Sequence, residues 1–187
     1  MFERTHRDAE PPHLLHEREA LRNLGFGLIT VSTSRYTKAL SGESVNDVSK
    51  AVAESLIKNS GHRVAAYELV PDDPDKILKA VLSMLSRNDV DVVITMGGTG
   101  PSLTDVTVET LRPLFEKELE GFGQLFRVLS YQEIGASAIL SNATAGIRGG
   151  KALFCLPGSP LAVRLALERL ILPVIGHHLA LARPRRR

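Results

Sequence analysis

The chain carries a single cysteine, Cys155, inside the apolar run ALFCLP. A lone cysteine excludes a disulfide framework within one chain and suits a reducing compartment, so a cytoplasmic protein is expected. There the thiol reads as a small buried hydrophobe. No run of about 18 apolar residues exists, so no membrane span is expected. The stretch MFERTHRDAEPPHLLHERE is charged, contains Pro11-Pro12 and lacks the apolar centre of a secretion signal. A basic stripe interleaved with aromatics is missing too. Net charge is only +2, and much of the excess sits in the tail RPRRR. A dedicated nucleic-acid-binding protein is therefore not expected, and the tail reads as a solvated terminus. Internal repeats and low-complexity segments are absent outside the tails.

What remains is 187 residues, the size of one domain. Such a chain can bury roughly two-thirds of its unfolded surface and needs neither disulfide nor metal to fold. The pattern divides it into an arm (1–22, with a short helix from His13 to Arg22), a domain (23–180) and a basic tail (181–187). GFGLITVST (25–33), RVAAYELV (63–70), VDVVITM (90–96) and KALFCLP (151–157) read as strands. VSKAVAESLIK reads as a helix opened by a capping box at Ser44 and Asp47 and stopped by Gly61. DKILKAVLSMLSR is helical, with Ile77, Val81, Met84 and Leu85 on one face. Further helices are expected over 106–115 and 120–135, then a passage from helix to extended chain over 138–147. A last helix should start at Ser159-Pro160 and bend at Pro173. Strands alternating with helices predict an α/β fold: three layers, α/β/α, around a mostly parallel sheet.

In such a sheet, ligands bind beyond the carboxyl ends of the strands. Three loops belong there: VPDDPD, GGTGPSLTD and LPGSP. Gly97, Gly98, Thr99 and Gly100 put little side chain at a strand end, which lets an anion reach backbone amides. Neither a P-loop nor the third glycine of a dinucleotide fingerprint is present, since Leu103 stands in that place. Taken alone, GGTG fits a tight strand-to-helix turn equally well, and Gly158-Ser159 fits ordinary helix capping. Asp72 and Asp105 each follow a strand at the same sheet edge and each could be a plain first-turn carboxylate. Read together with a phosphate, two carboxylates need a cation between them, and Mg²⁺ with a nucleotide meets that need. The spacing from Gly97 to Asp105 then fits a loop that runs along a triphosphate and returns a carboxylate to it. His177 and His178 are adjacent and do not share a helix face, and His13 and His16 lie in the arm, so no histidine is assigned a metal.

These motifs stand in the order and spacing of the MoaB/MogA family of molybdenum-cofactor biosynthesis proteins, which the chain resembles over roughly residues 25–180. The match is carried by VPDD, ITMGGTGPSLTDVTVET, EGFGQLFRVLSYQEIGASAILS, AGIRG and LPGSP. The run EGFGQLFRVLSYQEIG resembles the MoaB branch in particular. The resemblance implies adenylylation of molybdopterin by Mg-ATP, giving adenylyl-molybdopterin and pyrophosphate, for later insertion of molybdate or tungstate. It implies Asp72 and Asp105 as catalytic and metal-holding residues. Gly97, Gly98, Thr99, Gly100, Gly158 and Ser159 become nucleotide-binding positions. Ser141 and Asn142 fall on the family's substrate-binding Ser-Arg-Ala segment, and Glu133 on its Ser-aromatic-x-Glu-Ile-Gly element. It also implies a homotrimer or homohexamer and a downstream metal-insertion protein as partner. The alternative is a non-catalytic molybdopterin-binding or scaffold paralogue. Asn142 stands where arginine is usual, and Thr33 and Ala39 where aspartates are frequent, which bears on pterin-site detail.

Overall fold

The structure, a computed structural model, describes residues 21–183. The expected arm helix and the tail fall outside these residues, apart from Leu21, Arg22 and Arg183, which are not helical, and Leu181 and Ala182, which end the last helix. Leu21 packs against the core and its amide donates to the Gly176 carbonyl at 3.1 Å.

Six strands form one sheet in the order β2-β1-β3-β6-β5-β4. They are β1 (Gly25–Val31), β2 (Arg63–Val70), β3 (Val92–Met96), β4 (Lys117–Glu118), β5 (Thr144–Arg148) and β6 (Lys151–Leu156). The four strands read from the sequence are the parallel ones; β5 and β4 run antiparallel to their inner neighbours. Side chains of a strand alternate between its two faces. Phe26, Leu28, Val92, Ile94, Met96, Phe154 and Leu156 pack on one face. Ile29, Val31, Val93, Leu153 and Cys155 pack on the other. Helices α2 (Val48–Asn59), α5 (Glu120–Ile134), α6 (Pro160–Ala166) and α7 (Ile175–Ala182) cover the first face. Helices α3 (Pro74–Ser86) and α4 (Thr107–Leu111) cover the second, through Ile77, Ala80, Val81, Met84, Val108 and Leu111. Burying each such valine, leucine, isoleucine or methionine side chain contributes about 1.5–3 kcal/mol, which is what makes the layering stable. Cys155 is fully buried, and burial pushes its thiol up to about 12, so it is an inert packing group.

Several local expectations are corrected. The first strand stops at Val31, because Ser32 caps an unforeseen helix α1 (Thr33–Leu40). Asp47, not Ser44, caps α2: its carboxylate accepts from the Lys50 amide at 2.9 Å, and Ser44 is exposed. The third strand begins at Val92, since Asp91 is taken up by the Gly25 amide at 2.7 Å. Helix α4 tightens to a 3₁₀ turn over Arg112–Leu114 at Pro113, which cannot donate to the preceding turn. A 3₁₀ segment, Gly135–Leu140, carries the chain from α5 towards β5. The last helix does break at Pro173, after a π turn over Leu167–Ile171, and its two segments diverge by 62°. Among the described residues no single helix is long and apolar enough to cross a membrane.

Candidate active site at the carboxyl edge of the sheet

Strand register builds the site. Val31 pairs with Val70, Thr30 with Met96, and Met96 with Leu156, so four strands end level. The segments after them leave from one edge: Ser32-Thr33, Pro71–Asp73, Gly97–Asp105 and Pro157–Ser159. Backbone bonds fasten two of them to neighbouring strands, Ser32 N to Val70 O at 2.8 Å and Gly97 N to Leu156 O at 2.9 Å.

The glycine loop is held by its own helix. Thr107, fully buried at the start of α4, donates its hydroxyl to Gly97 O at 2.9 Å and its amide to Gly98 O at 3.0 Å. Gly97 (φ 120°) and Gly98 (φ 64°) hold backbone that side-chain-bearing residues rarely adopt. A Cβ on Gly98 would meet Thr107 Oγ1 at 2.3 Å and Asp72 Oδ1 at 3.3 Å. A Cβ on Gly100 would meet Asp105 Oδ2 at 2.6 Å. Both aspartates therefore border this loop. A tight turn returns Asp105 to it: Asp105 N donates to Ser102 O at 2.9 Å, and Ser102 N donates to Asp105 Oδ2 at 3.1 Å.

The second loop abuts the first. A Cβ on Gly158 would lie 3.2 Å from Gly97 Cα. The buried Ser49 hydroxyl donates to Gly158 O at 2.7 Å, and Ser159 caps α6 by accepting from Ala162 N at 3.2 Å. Asn142 meets the glycine loop through its backbone, N to Thr99 O at 3.1 Å, while its side chain lies exposed. A cavity of about 210 Å³ lies beside these loops, lined among others by Thr99, Gly100, Ser130, Ser137, Ser141 and Ser159; Asp72, Asp105, Gly97, Gly98, Gly158 and Asn142 do not line it. Glu133 is exposed and does not line it, although Ser130 and Ile134 of the same helix do.

Sequence reasoning missed Thr107 and Ser49, and gave Asp47 only a place in a capping box. Thr107 lay inside the quoted GGTG element. Ser49 and Asp47 are fixed by contacts across the sheet that no local pattern announces. The Asp47 carboxylate accepts from Thr30 Oγ1 at 2.6 Å, Lys50 N at 2.9 Å and Tyr67 OH at 3.1 Å. Burial alone would raise its pKa. Hydrogen bonds from Thr30, the Lys50 backbone and Tyr67, with the Arg35 charge, outweigh that and hold it below the ordinary 3.8. A carboxyl lowered in the folded state adds stability that is complete above its unfolded pKa and is lost as pH falls through the folded one. Asp47→Ala is therefore expected to cost about 1–2 kcal/mol at pH 7, half-exposure keeping the figure modest. In urea melts the gap to wild type should close as the pH is taken below 3.8, the ordinary carboxyl value; a gap that persists unchanged in acid would refute the assignment.

Glycine turns, flanking carboxylates and a capped helix meet at one edge of a three-layer α/β domain, at the carboxyl ends of its parallel strands. The family can be named from comparison. Residues 27–177 match the profile of the probable molybdopterin binding domain, and the chain belongs to that family. It is 44% identical over 163 residues to molybdenum cofactor biosynthesis protein B of Bacillus cereus, covering 87% of this chain and 92% of that one. It is 41% identical over 157 residues to the molybdopterin adenylyltransferase of Pyrococcus furiosus, covering 82% and 88%. The solved structure of the tungsten cofactor synthesizing protein MoaB from Pyrococcus furiosus superposes with a TM-score of 0.77 at 38% identity, covering 88% of this chain and all of that one.

Proposed function

We propose that this protein adenylylates molybdopterin. The observation that carries the reading is the meeting of the glycine loop, Asp72, Asp105 and the Gly158-Ser159 loop at one sheet edge, in a chain that belongs to this family. In the reaction a terminal phosphate oxygen of molybdopterin attacks the α-phosphorus of ATP. A new P–O bond forms, the bond to the β-phosphate bridging oxygen breaks, and pyrophosphate leaves.

No protein nucleophile is needed, so the chain's work is positioning and charge neutralisation. The Gly97–Gly100 loop lets phosphate oxygens approach backbone amides. The level strand ends bring the Gly158-Ser159 loop against it, so two bound groups can lie side by side at this edge. Ser130, Ser137 and Ser141 offer hydroxyls along the wall. Asp72 and Asp105 give an all-oxygen pair of hard ligands, the donor set Mg²⁺ takes beside phosphates. Gly98 and Gly100 leave free the space by those carboxylates that a Cβ would fill. Mg²⁺ held there supplies neutralisation of phosphate charge.

The homotrimer or homohexamer expected of the family has a candidate contact face in the exposed apolar side chains Leu125, Val128, Tyr131 and Ile139. A metal-insertion protein that consumes the adenylate, and a cytoplasmic site of action, complete the proposal. The test is to incubate the protein with molybdopterin, ATP and Mg²⁺ and to measure adenylyl-molybdopterin by mass spectrometry. Product and pyrophosphate should appear in equal amounts. Molybdopterin binding without product would instead favour the scaffold reading, which the exposed Asn142 amide in place of an arginine supports.

A further inference from the structure

We infer that Thr33 is a positioning residue that sets the direction in which Asp72 presents its carboxylate; the inference rests on the Mg-ATP reading above. Three hydrogen bonds join the two residues. The Thr33 hydroxyl accepts from Asp72 N at 2.9 Å and donates to Asp72 Oδ2 at 2.8 Å. The Thr33 amide donates to the same Oδ2 at 2.8 Å. Because the hydroxyl oxygen already receives the Asp72 N–H, its own proton is directed to the carboxylate and the arrangement closes on itself.

The consequence is an asymmetric carboxylate. Oδ2 is tied by two donors, one of them an otherwise unpartnered first-turn amide of α1, where negative charge is favoured. Oδ1 makes no hydrogen bond among the described residues and is the oxygen that borders Gly98. Only one oxygen is thus offered to the glycine loop, and the side chain cannot rotate without breaking two charge-assisted bonds. Thr33 itself is exposed and belongs to neither hydrophobic cluster, so three bonds to one aspartate are not needed for packing. The sequence offered no hint of this, since Thr33 and Asp72 lie on different strands' exits, 39 positions apart.

Thr33→Val removes the hydroxyl and keeps shape and amide; Thr33→Ser keeps all three bonds. Mn²⁺ uptake in the presence of ATP and without molybdopterin, measured as the metal retained on the protein side in equilibrium dialysis, reads the site without turnover. Thr33→Val is expected to raise the Mn²⁺ dissociation constant about tenfold, as loss of a hydrogen bond to a charged group implies, and Thr33→Ser to stay within about twofold. In the adenylylation assay Thr33→Val should need correspondingly more Mg²⁺ and regain near-normal turnover when it is saturated. Wild-type uptake matched by Thr33→Val would overturn the positioning role while leaving the nucleotide reading intact. A wild type that takes up no Mn²⁺ with ATP would overturn both.

Discussion

Asp105→Asn should lower adenylyl transfer by about 10²–10³-fold or more, the range for removing a preorganised charge-stabilising group, while leaving the fold unchanged. Asp105 is half-buried, and among the described residues its side chain accepts one hydrogen bond, from Ser102 N at 3.1 Å. An asparagine oxygen can accept that same bond, so the turn that returns residue 105 to Gly100 survives. A melting midpoint within about 2 °C of wild type is expected, given that 1 kcal/mol shifts a domain of this size by roughly 2–4 °C. What disappears is one negative charge beside the glycine loop. Two carboxylates without a cation repel a polyphosphate, so the same variant should bind metal-free ATP at least as tightly as wild type. Turnover close to wild type, or weaker metal-free ATP binding, would sink the metal-site argument. The paired loss of rate and gain of metal-free affinity separates a lost ligand from a damaged loop.

Much of this was legible because the sheet obeys local rules. The inner parallel strands β1, β3 and β6 are nearly continuous apolar runs, as burial on both faces requires, while β2, at the sheet edge, is only partly buried. The placement of the ligand loops followed from topology alone, since strand ends in a parallel sheet share an edge. Three kinds of feature stayed hidden. Helix α1 has a serine cap and ends just before Gly42, but it is short and buries no residue, so its hydrophobic pattern is silent. Strand β4 has two residues and exists only because β5 offers an edge to pair with. The polar fasteners Ser49, Asp47 and Thr33 act across 17 to 109 positions of sequence. Spacing within one segment cannot reveal a bond whose other end is fixed by sheet register. Glu133 stands on a family sequence element, yet α5 turns Ser130 and Ile134 to the cavity and leaves Glu133 in solvent.

The glycines of the loop should not be equivalent. A Cβ on Gly97 would fall 2.1 Å from the Val31 carbonyl oxygen. That oxygen belongs to the end of β1, and Gly97 is itself tied to Leu156 O at 2.9 Å and Thr107 Oγ1 at 2.9 Å. Neither backbone can give way without parting β1 from β3, and φ of 120° adds strain of its own. Gly97→Ala should therefore cost about 3–5 kcal/mol from overpacking and strained backbone together. That corresponds to a fall in melting midpoint of roughly 10 °C. On Gly98 the closest obstacle is a side-chain atom, Thr107 Oγ1 at 2.3 Å, which can rotate away. Its φ of 64° lies in the left-handed region that alanine reaches for about 1–2 kcal/mol. Gly98→Ala should keep most of the stability and lose activity instead, because the moving Thr107 hydroxyl releases Gly97 O and the new methyl presses on Asp72 Oδ1. Gly42→Ala supplies the reference: φ of 80° with nothing within 4 Å, hence strain without collision or effect on turnover. Melting curves and adenylylation rates of the three variants should rank Gly97→Ala as least stable and Gly98→Ala as the folded but impaired enzyme. Equal melting losses for Gly97→Ala and Gly42→Ala would mean that the β1–β3 contact does not constrain the loop, and the account of how the strand ends shape the site would have to be given up.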